Sequence, residues 1–469
     1  MKMKRIFGIV FCMLISQQAW AETTQASAVS PAAPPAATTL SQKFDQHLDR
    51  IFKARTFDQE RLKVKLGGQS RYRFELRDDF TLNDATYEDD AINMLRNRLN
   101  LDINWAPAPE VPSIRVFAEG QEAHSFAESD VNQNNTFVNE IDLRQLFVEL
   151  KSPWKELPLT AKAGRQVLSY GDERFVGGLE WTNTARVFDA VKLVLNPYAW
   201  LQVDAFVSQV VRVEPEGADK TVHDDLFYGF YAATKPIVDH VLDTFLFIRH
   251  NSDKSVAGER TGERGELKEY TFGNRFKGKK WNFDYGTEYA VQLGSRAHDQ
   301  IAAWAFHQEI GYTFVKLPWT PRIYGEYNHA SGDRNPTDGV SSTFDQLFPT
   351  NHNKYGHIDI VGYRNINNWM VGAGVKPHPR VIFSADFHWF TLDAKESGWF
   401  GEGGGVNRAA NANADTDLGQ EIDLWASYKF SEHLSFAAGY SHFFAGPFME
   451  DTGRSDDANL FYIQNILNF

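Results

Sequence analysis

From Leu62 to Phe469 the chain alternates apolar and polar residues with a period of two. Nowhere in that region does it approach the ~20 consecutive apolar residues of a membrane helix. A period of two sends alternate side chains to opposite faces of a β-strand. In the first segment Leu62, Val64 and Leu66 point one way, joined further along by Tyr72, Phe74 and Leu76. Lys63, Lys65, Gln69, Arg71, Arg73 and Glu75 point the other way. The second segment sets Leu99, Leu101, Ile103 and Trp105 against Arg96, Arg98, Asn100, Asp102 and Asn104. Ile323 and Tyr327 oppose Arg322, Tyr324, Glu326 and Asn328. Ile422, Leu424, Ala426, Tyr428 and Phe430 oppose Glu421, Asp423, Ser427 and Lys429. Such ribbons fit either a sandwich with one wet face or a membrane barrel with lipid outside and water within.

Connection lengths favour the barrel. Short links recur at Ala106–Val111, Lys151–Leu157, Asn196–Ala199, Thr234–His240, Lys277–Lys280, Lys316–Thr320, Lys376–Pro379 and Phe430–His433. Long polar loops lie between them: Arg77–Asp89, His124–Asn139, Ser169–Thr184, Val213–His223, Asn251–Gly265, Gly332–Asn365 and Asp393–Leu418. Regular alternation of short and long is the pattern of outer-membrane barrels, with turns in the periplasm and loops outside. Trp105, Tyr198, Trp200, Trp281, Tyr312 and Trp319 stand near segment ends, where interfacial girdles form. The expected fold is all-β: a transmembrane antiparallel up-and-down β-barrel of about eighteen strands. Strands of ~10 residues tilted about 45° cross the hydrocarbon. A barrel of ~16–18 strands is too wide to fill with its own wall side chains, so an aqueous channel is expected.

The ends agree. Lys2, Lys4 and Arg5 precede the short apolar run Ile6–Ile15, and Ala19-Trp20-Ala21 fits a small-x-small cleavage site, so residues 1–21 read as a secretory signal peptide. The single cysteine, Cys12, lies within it, which leaves the mature chain without a disulfide or a Cys-based metal site. Residues 22–60 read as a flexible Ala/Thr/Pro-rich periplasmic tail followed by a short amphipathic helix. Phe44, Leu48, Ile51, Phe52 and Arg55 carry its period, with Ser41 as N-cap. Residues 61–469 form the barrel. Its last segment, Phe461–Phe469, places Phe461, Ile463, Leu467 and the terminal Phe469 on one face. It resembles the closing strand that barrel-assembly machinery reads in the outer membrane of Gram-negative bacteria. Lipid and that machinery are the expected partners.

On this register the inward face of the first three strands is basic: Lys63, Lys65, Arg71, Arg73, Arg96, Arg98 and Arg115, with Glu119 and Gln121 following. Later strands add Lys192, Arg249, Arg275 and Arg322 against Asp204, Asp284, Glu288, Glu309, Glu326 and Glu421. Net charge is −13, which argues against a nucleic-acid binder. A net-acidic chain that gathers arginines on one side of its lumen suggests a path for anions, because guanidinium binds carboxylate in bidentate fashion and stays charged. The competing reading is that these arginines pair with neighbouring acids and only rigidify the wall. Arg144 shares its parity with Leu146 and Val148, so it needs a bulge, or a position above the membrane, to face inward.

Two stretches are more specific. Gly164–Asp172 reads GRQVLSYGD and is followed by Arg174, Phe175, Gly177, Trp181, Arg186, Phe188 and Asp189. Thr343–Asp359 reads TFDQLFPTNHNKYGHID. Both resemble the alginate-export family of outer-membrane barrels, and the likeness in pattern runs from about Leu62 to Phe469. That resemblance implies a monomeric barrel with an arginine-rich constriction passing a polyuronate outward. By it, Arg165 of the G-R-Q run is the first lumen candidate. By their position in the basic face Arg73, Arg96, Arg98, Arg115 and Arg186 follow, and Lys65, Arg71, Glu119 and Arg322 complete the set. The family's secretion channel is gated by a long periplasmic connection rich in small residues, which this chain lacks. A gate is expected instead from Gly332–Asn365 or Asp393–Leu418 folding inward.

No enzyme is expected. The 14 histidines form no H-E-x-x-H, no G-x-S-x-G occurs, and Ser441 and His442, being adjacent, point to opposite faces. Asp333–Gly339 has calcium-like oxygens but lacks the bidentate glutamate at the twelfth position, so no metal or cofactor is expected. The alternative to a channel is a surface receptor or adhesin that uses the long loops.

Overall fold

The computed structural model describes residues 39–53, 57–79, 82, 90–126, 135–154, 156, 158–235, 237–258 and 263–469. The segment read as a signal peptide, and nearly all of that read as a linker, fall outside these residues. Eighteen antiparallel strands form one closed sheet. They are β1 (Leu62–Asp78), β2 (Asp90–Trp105), β3 (Ser113–Phe126), β4 (Asn139–Lys151), β5 (Leu159–Gln166), β6 (Phe188–Tyr198), β7 (Leu201–Arg212), β8 (Lys220–Thr234) and β9 (His240–Ala257). The circuit continues with β10 (Arg264–Lys280), β11 (Phe283–Arg296), β12 (Asp299–Thr313), β13 (Arg322–Ala330), β14 (Ile366–His378), β15 (Val381–Leu392), β16 (Asp417–Lys429), β17 (Leu434–Ala445) and β18 (Ala458–Asn468). Each strand pairs with the next. β18 closes on β1, from Gln69 opposite Asn468 to Asp78 opposite Asn459. Closure leaves no open edge, so every wall amide can be bonded inside hydrocarbon. The seam extends one residue further: Gly68 N–H donates to Phe469 O at 2.8 Å, and Phe469 N–H donates to Gly68 O at 3.0 Å. A Cβ on Gly68 would stand 2.6 Å from the Phe469 ring, so the glycine leaves room for the terminal aromatic.

The faces follow the predicted parity. Leu99, Leu101, Leu146, Val148, Val191, Leu193, Trp369 and Val371 are exposed on the outside, where lipid covers them. Arg71, Arg73, Glu75, Arg96 and Arg98 are buried on the inside. Trp105, Tyr198, Trp200, Trp281 and Trp319 are exposed at the short-turn end, where a girdle belongs. Two turns lie slightly later than the sequence reading. β10 runs to Lys280 and turns at Trp281-Asn282, both left-handed (φ 53° and 68°). This is a two-residue hairpin geometry usually signalled by glycine, which is absent here, so the turn is hard to read from the residues. Similarly, β14 runs to His378 and turns at Pro379-Arg380.

A register shift between β3 and β4 sets Glu119 opposite Gln145 and Gly120 opposite Leu143, leaving Arg144 as the extra residue. Such a bulge re-aims a side chain. It turns Arg144, otherwise in phase with lipid-facing Leu146, into the lumen, where it is buried.

The lumen is not the open channel expected from strand number alone. Three connections fold into it: 167–187 after β5, 331–365 after β13, and 393–416 after β15. The last two are the loops the sequence reading put forward as gates. The first was not foreseen as an inner loop. Loops 167–187 and 331–365 meet in a short parallel bridge at Val176 and Phe348, with Gly177 N–H on Phe348 O at 2.8 Å and Phe348 N–H on Phe175 O at 2.9 Å. Their apolar residues join inward aromatics of the wall. Phe175 packs on Phe245 (5.6 Å) and Phe344 (5.8 Å), and Tyr170 on Phe206 (5.5 Å) and Tyr231 (4.7 Å). The molecule's apolar core is therefore inside the barrel.

Helix α1 (Leu40–Lys53) docks at the short-turn end. Its cap is Thr39 rather than Ser41: Gln42 N–H donates to Thr39 Oγ1 (3.3 Å) and Thr39 N–H to Gln42 Oε1 (2.8 Å), a reciprocal capping box. Ser41 instead accepts from Arg380 Nη1 at 3.0 Å, and Phe44 packs edge-on against Phe430.

Candidate functional site

Strands β1 and β2 put Arg71, Arg73, Arg96 and Arg98 on neighbouring inward positions, since Arg71 pairs directly with Arg96. The bulge adds Arg144. Five guanidiniums then crowd one wall, and like charges so close are stable only when something negative meets them. Loop 167–187 supplies it. Arg71 donates to the carbonyls of Glu180 (2.8 Å), Trp181 (3.1 Å) and Thr182 (2.9 Å). Arg73 donates to Trp181 O at 2.7 Å and lies 3.7 Å from the centre of the Trp181 ring. Arg96 reaches Glu180 O and Thr182 O, each at 3.2 Å. The Glu180 carboxylate takes Arg98 at 2.8 Å and Arg96 at 3.4 Å, and is also bonded to Arg144. Glu119 receives Arg144 at 2.5 Å, and Glu75 receives Arg73 at 2.7 Å.

Positive charge remains in excess: Arg71, Arg73, Arg96, Arg98 and Arg144 face Glu75, Glu119 and Glu180, although Glu75 also takes Arg77 at 2.6 Å. Arg71 Nε, Arg96 Nε, Arg98 Nη2 and Arg144 Nε are buried without a hydrogen-bond partner among the described residues. Loss of water inside the lumen opposes charge on Glu180, yet Arg98, Arg144 and Arg96 hold its pKa well below the usual carboxylate range. Its side chain is still 41% exposed, so the lumen can reach the ion pair.

The other inner contacts fix the loops around the circuit. Asp172 takes Arg275 at 2.7 Å and Lys277 at 3.1 Å; burial works against its charge, but these cations hold it well below the carboxylate range. Arg174 reaches Tyr355 (3.1 Å), His307 (3.1 Å) and Glu326 (3.3 Å). His357 and Ile358 give their N–H groups to Glu421 Oε1 at 2.7 and 2.9 Å. Gly356 permits this approach. It is left-handed (φ 85°), and a Cβ there would stand 2.4 Å from the Glu421 carboxylate. Trp181 stacks on His352 at 3.5 Å, tying the two loops together beside the arginines.

The structure thus brings together Arg71, Arg73, Arg96, Arg98 and Glu119 of the predicted set. Sequence reasoning missed Glu180 as their counter-ion. Trp181, one residue on in the same specific run, was the available signal. Arg165 is a correction. It lies level with Leu146 and Asp189, on the outer face of β5 near its extracellular end, and cross-strand partners share a face. There it binds Asp189 at 3.0 and 3.2 Å and bonds the backbone of Asp219, so it secures the rim and stands outside the lumen. A run of letters that resembles a family does not fix which face a residue takes. Arg115 is paired in bidentate fashion with Asp102 (2.9 and 3.0 Å), and Arg322 with Asp284, both toward the short-turn end. These two follow the competing reading of wall-stiffening pairs, as do Arg249 with Asp225 and Lys192 with Asp204. Arg186 sits in the loop, donating to Pro349 O at 2.8 Å. Lys65 is exposed near the short-turn end and forms no ion pair among the described residues.

A closed eighteen-stranded barrel with an apolar outer belt and a charged lumen crossed by loops is an outer-membrane channel of the porin type. Three solved barrels of Pseudomonas aeruginosa resemble it in fold: OccK5 (OpdH), the outer membrane protein OprD and OccD3 (OpdP). OccK5 is 11% identical, covers 87% of this chain and 98% of its own, with a TM-score of 0.56. OprD gives 11%, 87%, 94% and 0.56, and OccD3 gives 10%, 87%, 91% and 0.56. The chain belongs to the alginate-export family, whose model matches residues 62–463. A search by sequence among curated proteins finds no match.

Proposed function

We propose that this channel passes an anionic saccharide of the polyuronate class, and that the solute's carboxylates are carried by Arg71, Arg73, Arg96, Arg98 and Arg144. The observation that carries this reading is the excess of buried guanidinium N–H groups around the single exposed carboxylate of Glu180. Glu180 occupies the place a solute carboxylate would take, and the exchange of one for the other swaps like for like. Charge-assisted hydrogen bonds of about 1.5–3 kcal/mol each are strong enough to select and weak enough to release. The barrel acts as a monomer, and Phe461–Phe469 is the segment offered to the assembly machinery.

Planar-bilayer recording tests this. Oligouronates are expected to block the ion current, and Arg98→Ala to weaken that block by about tenfold. Equal block by neutral oligosaccharides, or undiminished block in Arg98→Ala, overturns the reading. A receptor with no transport role would give no solute-dependent current at all.

A further inference from the structure

Helix α1 meets the barrel with only part of its surface. At 3.6 residues per turn, Leu40, Phe44 and Ile51 share one row, and Lys43, His47 and Arg50 share the row beside it. On the other side of Phe44, Ser41, Asp45 and Asp49 form the row that grips the turns. Ser41 accepts from Arg380, Asp45 Oδ2 accepts the N–H of Glu432 at 3.3 Å, and Asp49 faces His433 at 3.6 Å. These contacts are polar, and they leave an apolar edge over: Leu40 is 75% exposed and Ile51 37%. Lys43, His47 and Arg50 are exposed too, and form no ion pair among the described residues.

Phe44 fixes the direction in which that edge looks. Its ring meets Phe430 edge-on at 6.0 Å, and the Phe430 ring meets Tyr428 at 6.2 Å. Tyr428 stands opposite Val381 and Phe436, in the same parity as Leu424, which is exposed on the lipid face. Phe430 therefore stands at the foot of a lipid-facing column, and α1 carries that column on through Phe44 to Ile51 and Leu40. The short turns lie on the periplasmic side, close to the level of the lipid phosphates. An apolar row beside a row of cations, set at that level, is the arrangement of an amphipathic helix lying in a membrane interface.

We propose that α1 is an interfacial anchor. It lies in the periplasmic leaflet of the outer membrane, with Leu40 and Ile51 among the acyl chains and Lys43 and Arg50 on the phosphates of anionic phospholipid. Lipid is the occupant of the apolar edge because that edge is continuous with the lipid-facing column and its flank is basic. A neutral lipid surface satisfies only the apolar row; an anionic one satisfies both. The anchor draws the turns at 379–380 and 430–433 against the leaflet, and it is independent of the solute that the lumen carries.

The chain from Glu22 onward holds no cysteine, so one can be introduced alone. The experiment is spin labelling of the detergent-folded mature protein at Ile51→Cys, with Gln46→Cys, on the far and exposed side of the helix, as reference. Both are reconstituted in vesicles of phosphatidylcholine and phosphatidylglycerol in equal parts. Each label is probed for collision with oxygen, which concentrates in hydrocarbon, and with a water-soluble nickel chelate. The ratio of oxygen to nickel collisions is expected to be several-fold higher at Ile51 than at Gln46. Lys43→Glu combined with Arg50→Glu should shrink that difference, while the compact band in SDS shows the barrel still folded. Equal nickel access at both positions overturns the proposal. So does spin–spin broadening at Ile51 in detergent and vesicles alike, because the edge is then an interface with a second copy. An undiminished difference in the charge-reversed variant removes the anionic lipid from the assignment.

Discussion

Glu180 is the one carboxylate of the arginine cluster that comes from a loop; Glu75 and Glu119 are fixed in the wall. That difference makes it the movable part. Its pKa is depressed in the folded protein, so the stabilisation it gives is present above the unfolded value and lost only as pH falls through the lowered one. The loop's seat should therefore be insensitive to pH from about 8 down to about 5. Glu180→Gln removes the charge at every pH, and anion selectivity, read from the reversal potential, should rise. A titration of the wild-type current near neutrality that Glu180→Gln abolishes would count against this assignment. Gly356 makes a second prediction at this scale. Gly356→Ala adds a Cβ against the Glu421 carboxylate in a left-handed backbone, so the two N–H bonds to Glu421 should be lost. Faster amide exchange at His357 and Ile358, with wall exchange unchanged, is the expected reading.

Among the elements, loop 167–187 depends on the wall more than the wall depends on it. β5 and β6 are paired from Leu159 opposite Leu195 to Gln166 opposite Phe188, without help from the loop between them. A chain shortened by residues 173–184 should still fold and insert, with a several-fold larger single-channel conductance. An unchanged conductance would mean that the other two loops alone set the constriction. The bulge in β4 works in the opposite sense. Breaking a buried ion pair typically costs about 3–5 kcal/mol. Among the described residues, Arg144→Ala leaves Glu119 hydrogen-bonded only to the Gln145 amide at 3.1 Å, so the melting temperature of the detergent-folded barrel should drop.

At the scale of the whole molecule, closure depends on the β1–β18 seam. A Cβ at Gly68 would lie 2.4 Å from Arg98 O as well as 2.6 Å from the Phe469 ring. Gly68→Leu should therefore lower the temperature at which the compact band is lost on heating in SDS. A substitution such as Leu193→Ala, on the lipid face of β6 away from the seam, should change it little.

The barrel was legible in the sequence because its two faces meet different solvents. Lipid and lumen impose a period of two on every strand, and Leu62–Leu76 or Arg96–Trp105 carry that period without reference to any distant residue. Strand number and the inward course of Arg71, Arg73, Arg96 and Arg98 follow from the same local rule. Glu180 obeys no such rule. Its placement depends on long-range contacts, in which a loop crosses the lumen and a carboxylate meets arginines from two strands. The sequence alone determined which wall carries positive charge. Only the tertiary structure decided what answers that charge, because a loop's course is set by the partners it finds rather than by its own periodicity.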